Sequence, residues 1–293
     1  MKFKEQLKEY QVYINSKLEE YIDTIDCPEK KLNEAMRYSL LAGGKRIRPI
    51  LMLATYELFK NNIEVCTPYF VAMEMVHNFS LIHDDLPAID NDDLRHGVPT
   101  NHKAYGESTA ILAGDGLLNY AYIVMSNDIL KEYKEEKVKV LNEFSKEVYQ
   151  MIIGEFVDIE CEGKDISTKL LEYMHKNKTG ALIKESVRMG AILAGAKDEE
   201  LDILTKYAEN IGLAFQIKDD ILSEIGDEKV MGKPVHNDKE ANKSTFVTKY
   251  GLDESINMLN KVIDESINIL NDKFGNRSEF LIELAKYIRD REK

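Results

Sequence analysis

The stretch Ile82 to Gly97, IHDDLPAIDNDDLRHG, places Asp84, Asp85, Asp90, Asp92 and Asp93 directly after a mostly apolar run, YFVAMEMVHNFSLIH. Two carboxylates about 4 Å apart repel by roughly 4 kcal/mol at an effective dielectric near 20, so such a cluster calls for a cation. Asp84 and Asp85 close a helical run, Pro87 forces the chain out of it, and Asp90 can fold back toward them. Three carboxylates with room for water match Mg²⁺, which takes few protein ligands and completes its shell with water and substrate phosphates. Taken alone, the stretch also fits a solvated helix end with Asx-type turns. An EF-hand calcium loop fits poorly, because DNDDLRHGVPTN lacks Gly at its sixth position and Glu at its twelfth.

A second acidic pair, Asp219 and Asp220 in FQIKDDILSEIGDE, again ends an apolar helical run, with Asp227 two turns further on. Two such clusters could face each other across a cavity and hold a diphosphate with its metals between them. The basic complement is LLAGGKRIRPILMLA, where Lys45, Arg46 and Arg48 precede Pro49, a favourable opening residue for a helix. Cations beside backbone N–H groups at a helix N-terminus make an anion site, although a solvated turn explains the same residues. GxxxxGK[ST] is absent there, so it is no nucleotide P-loop. Arg95, Lys178, Lys233 and Lys243 punctuate other helix breaks and read singly as surface charges. His77 stands seven residues before Asp84, two turns or about 10 Å along one face, and reads equally as a hydrogen-bonded core histidine. Ser80, Val76 and Met73 share the face of Asp84 and Phe79 flanks it, an apolar shaft for a greasy tail or ordinary core packing.

Helices must position these residues. No proline occurs between Pro99 and Pro234, and apolar residues recur at three- and four-residue spacings throughout. About ten helices follow, with Ser167 and Asp198 placed as N-caps and no period-2 strand. AILAGDGLLNYAYIVM looks apolar around much of its circumference, as in a helix at a bundle centre or a dimer interface. No Pro, Gly or Ser-rich linker divides the chain, so the expectation is one all-α domain over residues 1–293.

The formal charge of −13 excludes a basic stripe for nucleic acid. Cys27, Cys66 and Cys161 form no CxxC pair and fit a reducing compartment. The N-terminal MKFKEQLKEYQVYINSKLEEY interleaves charge with apolar residues, which supports neither signal peptide nor membrane insertion and predicts a cytoplasmic protein.

GGKRIRP, HNFSLIHDDLPAIDNDDLRHGVPTNHKAYGE, ILAGDGLL, KTGALI, FQIKDDIL and KST, in that order over essentially the whole chain, resemble the trans-isoprenyl diphosphate synthases, most closely the bacterial farnesyl diphosphate synthases. The resemblance implies an isoprenoid-synthase helical bundle around a central cavity, usually homodimeric, that joins an allylic diphosphate to isopentenyl diphosphate. It implies that Asp84, Asp85 and Asp90 bind two Mg²⁺ on the allylic diphosphate and that Asp219 with Asp220 binds a third. Arg95, Lys178 and Lys233, with Lys243 near them, would hold the same diphosphate; Lys45, Arg48 and His77 would hold isopentenyl diphosphate. Thr179 and Gln216 would line the space where the carbocation forms. In the related bacterial synthases a two-residue insertion in the first motif, here within LPAI, and an aromatic five residues before it, here Phe79 followed by Ser80, go with a fifteen-carbon product.

Two positions depart from the family pattern. His96 stands where a second arginine usually contacts isopentenyl diphosphate, which predicts weaker or more pH-sensitive binding of that substrate. Ser223 stands at the fifth position of the second motif; Asp219, Ser223 and Asp227 share a helical face, as in hydroxyl-containing motifs of terpene cyclases. A terpene cyclase has little use for the second anion site, however, and a non-catalytic prenyl synthase subunit tends to lose the acidic and basic residues kept here. A geranyl or geranylgeranyl diphosphate synthase stays open as an alternative product class.

Overall fold

A computed structural model describes residues 3–26, 28–225 and 244–292. Asp227, Lys233, Lys243 and Cys27 lie outside the described residues. The chain forms two compact units, Met1–Asn142 and Glu143–Lys293.

In the first unit α1 (Phe3–Asp23), α2 (Lys30–Leu41) and α3 (Ile47–Glu57) lead through a 3₁₀ turn (Ile63–Cys66) into α4 (Thr67–Asp84). A two-stranded hairpin, β1 (Leu94–Arg95) and β2 (Val98–Pro99), precedes α5 (Asn101–Tyr105) and α6 (Glu107–Lys131). α4 is buried over most of its circumference, with Tyr69, Phe70, Val71, Met73, Met75 and Val76 fully enclosed. α6, expected to be buried around its circumference, packs one face through Ala110, Ala113, Leu117 and Ala121 and leaves Ile111, Leu112, Ile123 and Leu130 exposed.

α7 (Glu135–Cys161) starts in the first unit and ends in the second, which continues with α8 (Thr168–Lys178), α9 (Gly180–Ala194) and α10 (Asp198–Ile225). After the undescribed stretch come α11 (Phe246–Tyr250), α12 (Leu252–Phe274), a 3₁₀ turn (Gly275–Ser278) and α13 (Glu279–Asp290). The described residues thus hold thirteen α-helices rather than about ten, because one-turn helices such as α5 and α11 carry no readable periodicity. The hairpin escaped for the same reason: its strands are two residues long.

Ser167 caps α8 as expected, its hydroxyl accepting from the Leu170 amide at 3.3 Å. Asp198 instead opens the first turn of α10, and the cap lies one residue earlier, where the Lys197 amide donates to Glu200 Oε2 at 2.9 Å. Pro49 is the third residue of α3, not its first. Cys66 is fully buried and Cys161 half-buried, both as free thiols.

Candidate active site

Within the first unit, α4 delivers Asp84 as its last residue and Asp85 as its C-cap. The chain then curls back so that the Asp90 amide donates to the Asp84 carbonyl at 2.8 Å, the fold-back that Pro87 suggested. Asp85 is buried, and Arg95 on β1 grips it, donating from Nε to Oδ1 at 3.0 Å and from Nη2 to the same oxygen. Arg95 Nη2 also reaches Asp92 Oδ2 at 3.2 Å. Burial raises the Asp85 carboxyl above its usual range, opposed by the guanidinium, so the carboxylate owes its charge to Arg95.

Arg95 is aimed by a turn of two residues, His96 (φ +54°) and Gly97 (φ +82°), between paired Arg95 and Val98. Positive φ at both central positions is the type I′ geometry that matches strand twist, and it favours glycine at the second. The turn carries His96 to the glycine-rich loop: a methyl built on Gly44 would lie 3.3 Å from His96 Nε2. Burial, then Arg95, Arg46 and Lys45, lower the His96 pKa, leaving a neutral ring at neutral pH.

Of the three cations in that loop, one turns inward. Arg46, in the left-handed region (φ +57°), donates to Glu74 Oε1 at 2.7 Å, Asn15 Oδ1 at 2.9 Å and the Leu40 carbonyl at 2.8 Å. Both members of the ion pair are almost wholly buried, so Arg46 anchors the loop and is withdrawn from the expected anion site. Arg48 Nη1 lies 3.2 Å from His77 Nε2. A guanidinium only donates, so His77 Nε2 accepts and the ring is neutral, protonated at Nδ1. Burial and the charges of Arg48 and Arg46 agree, pushing the His77 pKa well below its ordinary value. Lys45 is half-buried, its carbonyl accepting from Gln11 Nε2 at 3.2 Å.

Phe79 is buried and meets His83 edge-on at 4.8 Å between ring centroids. His83 Nε2 lies 3.0 Å from the Ile111 carbonyl and against Gly114. Ser80 turns back on its own helix, donating to the His77 carbonyl at 2.9 Å. A cleft in this unit is lined by Asn78, Leu81, Asp85, Arg95 and His96, among others.

In the second unit Lys178 ends α8 and donates to Asp158 Oδ2 at 2.6 Å and to Glu155 at 2.9 Å, both on α7. Gly154 makes this approach possible, since any side chain there would collide with the Lys178 backbone. Sequence reasoning missed Glu155 and Asp158; the available signal was a glycine inside a long helix followed by acids at i+1 and i+4. Thr179, the single residue between α8 and α9, donates to Gln216 Oε1 at 3.0 Å. Gln216 Nε2 in turn donates to Asp220 Oδ1 at 2.9 Å, and the Phe246 amide donates to Asp220 Oδ2 at 2.8 Å. Phe246 stacks on His175, whose two ring nitrogens are buried without hydrogen-bond partners among the described residues, and burial lowers that histidine to about 4. Asp219 is partly exposed and accepts from Arg291 at 2.6 Å. Ser223 is half-buried on the same helix.

Among the described residues no group of three His, Cys, Asp or Glu forms a self-contained metal cage. Mg²⁺ binds through one or two carboxylates plus substrate phosphates and does not require such a cage. Asp84, Asp90 and Asp219 offer the hard oxygen donors it requires. Asp220, with both oxygens accepting, acts as a scaffold for its neighbours.

The polyprenyl synthetase family model matches residues 29–279. The chain is 44% identical over 248 residues to farnesyl diphosphate synthase of Geobacillus stearothermophilus, covering 82% of each. It is 43% identical over 261 residues to geranylgeranyl diphosphate synthase of Cyanophora paradoxa, covering 88% of this chain and 87% of the relative. The crystal structure of geranylgeranyl pyrophosphate synthetase from Pyrococcus horikoshii superposes with a TM-score of 0.89 at 30% identity over 100% of both chains. The chain belongs to the polyprenyl synthetase family and has its all-α terpenoid-synthase fold. Its activity is that of a trans-prenyltransferase.

Proposed function

We propose that the chain, acting as one isoprenoid-synthase domain, condenses isopentenyl diphosphate with dimethylallyl and then geranyl diphosphate to give farnesyl diphosphate. The observation that supports a fifteen-carbon product is Phe79, whose ring is buried on α4 five residues before Asp84 and meets His83 edge-on; in this reading it forms the floor beneath the first aspartate motif.

In this reading Asp84, Asp85 and Asp90, with Asp219 and the Asp220 beside it, hold the Mg²⁺ that accompanies the allylic diphosphate. When bound, the metal neutralises the charge that grows on the leaving diphosphate. Arg95, Lys178, Lys233 and Lys243 hold the same group, and Lys178 exchanges a carboxylate partner for a phosphate oxygen as substrate enters. Breaking the allylic C–O bond leaves a delocalised carbocation beside the dipoles of Thr179 and Gln216. The double bond of isopentenyl diphosphate, held by Lys45, Arg48, His77 and His96, attacks that carbon, and the departed diphosphate takes the final proton. The apolar face of Met73 and Val76 keeps out the water that would quench the cation to an alcohol.

Exposed apolar residues support a homodimer. Tyr149, Ile152, Phe156 and Ile159 recur at three- and four-residue spacings along α7, and α6 carries its own exposed set. No helix among the described residues is long and apolar enough to cross a membrane, and the cytoplasm is the proposed compartment.

The test is to incubate the protein with isopentenyl and dimethylallyl diphosphates, with Mg²⁺ or a chelator, and to identify the dephosphorylated products by mass. A metal-dependent fifteen-carbon alcohol supports the proposal. Twenty-carbon alcohols would move the chain to the geranylgeranyl class that its second relative represents, and no condensation product would overturn the reading.

A further inference from the structure

Arg291 follows α13, and although arginine is ordinarily solvated it is only 6% exposed. Its guanidinium lies 4.3 Å from the centroid of the Phe215 ring. Nη2 is shared between the Phe215 carbonyl at 3.2 Å and Asp219 Oδ1 at 2.6 Å. Phe215 and Asp219 stand one turn apart on α10, so stack and hydrogen bonds fix the guanidinium along a single helical face. The bland reading is a C-terminal anchor. Two features go beyond it. Arginine is gripping one oxygen of an otherwise exposed acid, and Asp219 Oδ2 accepts no hydrogen bond among the described residues. Arg291 also keeps its Nε buried without a partner among the described residues, a cost that a mere tether would avoid by lying in solvent.

We propose that Arg291 is a positioning residue for Asp219: it holds Oδ1, fixes the carboxylate rotamer and leaves Oδ2 directed outward for a divalent cation. The inference rests on the reading of Asp219 as a metal ligand. Physically it is the outer partner that a ligating carboxylate requires, and loss of such a partner weakens metal affinity by about 10–100-fold. Arginine suits the task better than lysine, because its planar fork stacks on Phe215 while it donates to two acceptors.

The experiment is a thermal-shift titration with Mg²⁺ at a fixed concentration of inorganic pyrophosphate. It reads the Mg²⁺ concentration at half of the maximal rise in melting temperature, independently of catalysis. Arg291→Gln is expected to raise that concentration by at least about tenfold, with Arg291→Lys falling between it and wild type. Baseline melting without Mg²⁺ and pyrophosphate separates any anchoring contribution; if Arg291→Gln does not fold, Arg291→Lys carries the test alone. An Asp219→Asn control makes the two claims distinguishable. A wild-type midpoint for Asp219→Asn overturns Asp219 as a ligand, whereas a shifted Asp219→Asn with unshifted Arg291 variants overturns the positioning role alone. A lowered midpoint in Arg291→Gln would make Arg291 a competitor of the metal and also overturn the inference.

Discussion

The two aspartate motifs end long helices in the same way but are held by different means. Asp85 is answered by Arg95, ten residues on and in the same hairpin-closed loop. Asp219 and Asp220 are answered from far along the chain, by Arg291 seventy-two residues away and by the Phe246 amide twenty-six away. The first motif therefore carries its countercharge within its own stretch, whereas the second is assembled by tertiary structure. An acidic cluster needs a cation or donors, and nothing in the physics requires them to be close in sequence.

That contrast ranks the expected effects of substitution. The largest belong to the motif acids: Asp85→Asn removes both a proposed ligand and the partner of Arg95, and kcat/KM for condensation should fall by at least about 10³-fold, with Asp219→Asn costing about 10²-fold. Steady-state kinetics with geranyl diphosphate would show an equal or larger loss for Asp219→Asn if the second motif leads.

Next come two contributions to stability. Arg46→Met strands the Glu74 carboxylate in the core and should cost about 3–5 kcal/mol in denaturant unfolding, against under about 1 kcal/mol for Lys45→Met nearby. His175, held at about 4 against an ordinary value near 6.5, favours the proton-free native state. The unfolded chain binds the extra proton, so this stability is present above pH 6.5 and is lost as pH falls toward 4, by at most about 3 kcal/mol. His175→Phe should flatten that part of the pH profile of unfolding; an unchanged acid slope would remove His175 as its source. Glu185 has the opposite sign. It is fully buried with neither oxygen hydrogen-bonded among the described residues, and its carboxyl is pushed well above the usual range. Stability should fall as pH rises from the ordinary carboxylate range, by up to about 1.4 kcal/mol per unit until the side chain ionises, and Glu185→Gln should abolish the slope.

The smallest effect concerns His96. Its lowered pKa moves the pH-sensitive range below that of an ordinary histidine, so KM for isopentenyl diphosphate should be flat near neutrality and fall as acid protonates the ring. His96→Arg should lower KM by about tenfold, the worth of one added charge-assisted hydrogen bond. An unchanged KM would take His96 out of substrate binding.

Legibility in the sequence followed the reach of each interaction. Asp84, Asp85 and Asp90 could be read together because a helix end and a proline confine them, whereas Arg95 read singly as a surface charge and meets Asp85 only through the hairpin. GGKRIRP showed three cations but not which would turn inward, since Arg46 was selected by Glu74, twenty-eight residues on. Glu155 and Asp158 looked like ordinary polar positions on a long helix until Lys178 was seen to lie between them. Arg291 gave no signal, as a lone arginine just past a helix is normally solvated. The helices themselves were legible wherever they spanned several turns, and one-turn helices and the hairpin were not, because a period needs repetition to be seen.

In the proposed reaction both motifs serve one ionisation. The most direct measurement is release of inorganic pyrophosphate from geranyl and isopentenyl diphosphates by Asp84→Asn and Asp219→Asn at saturating Mg²⁺. Both variants should lose about 10²–10³-fold in turnover, and a wild-type rate for either would contradict the account.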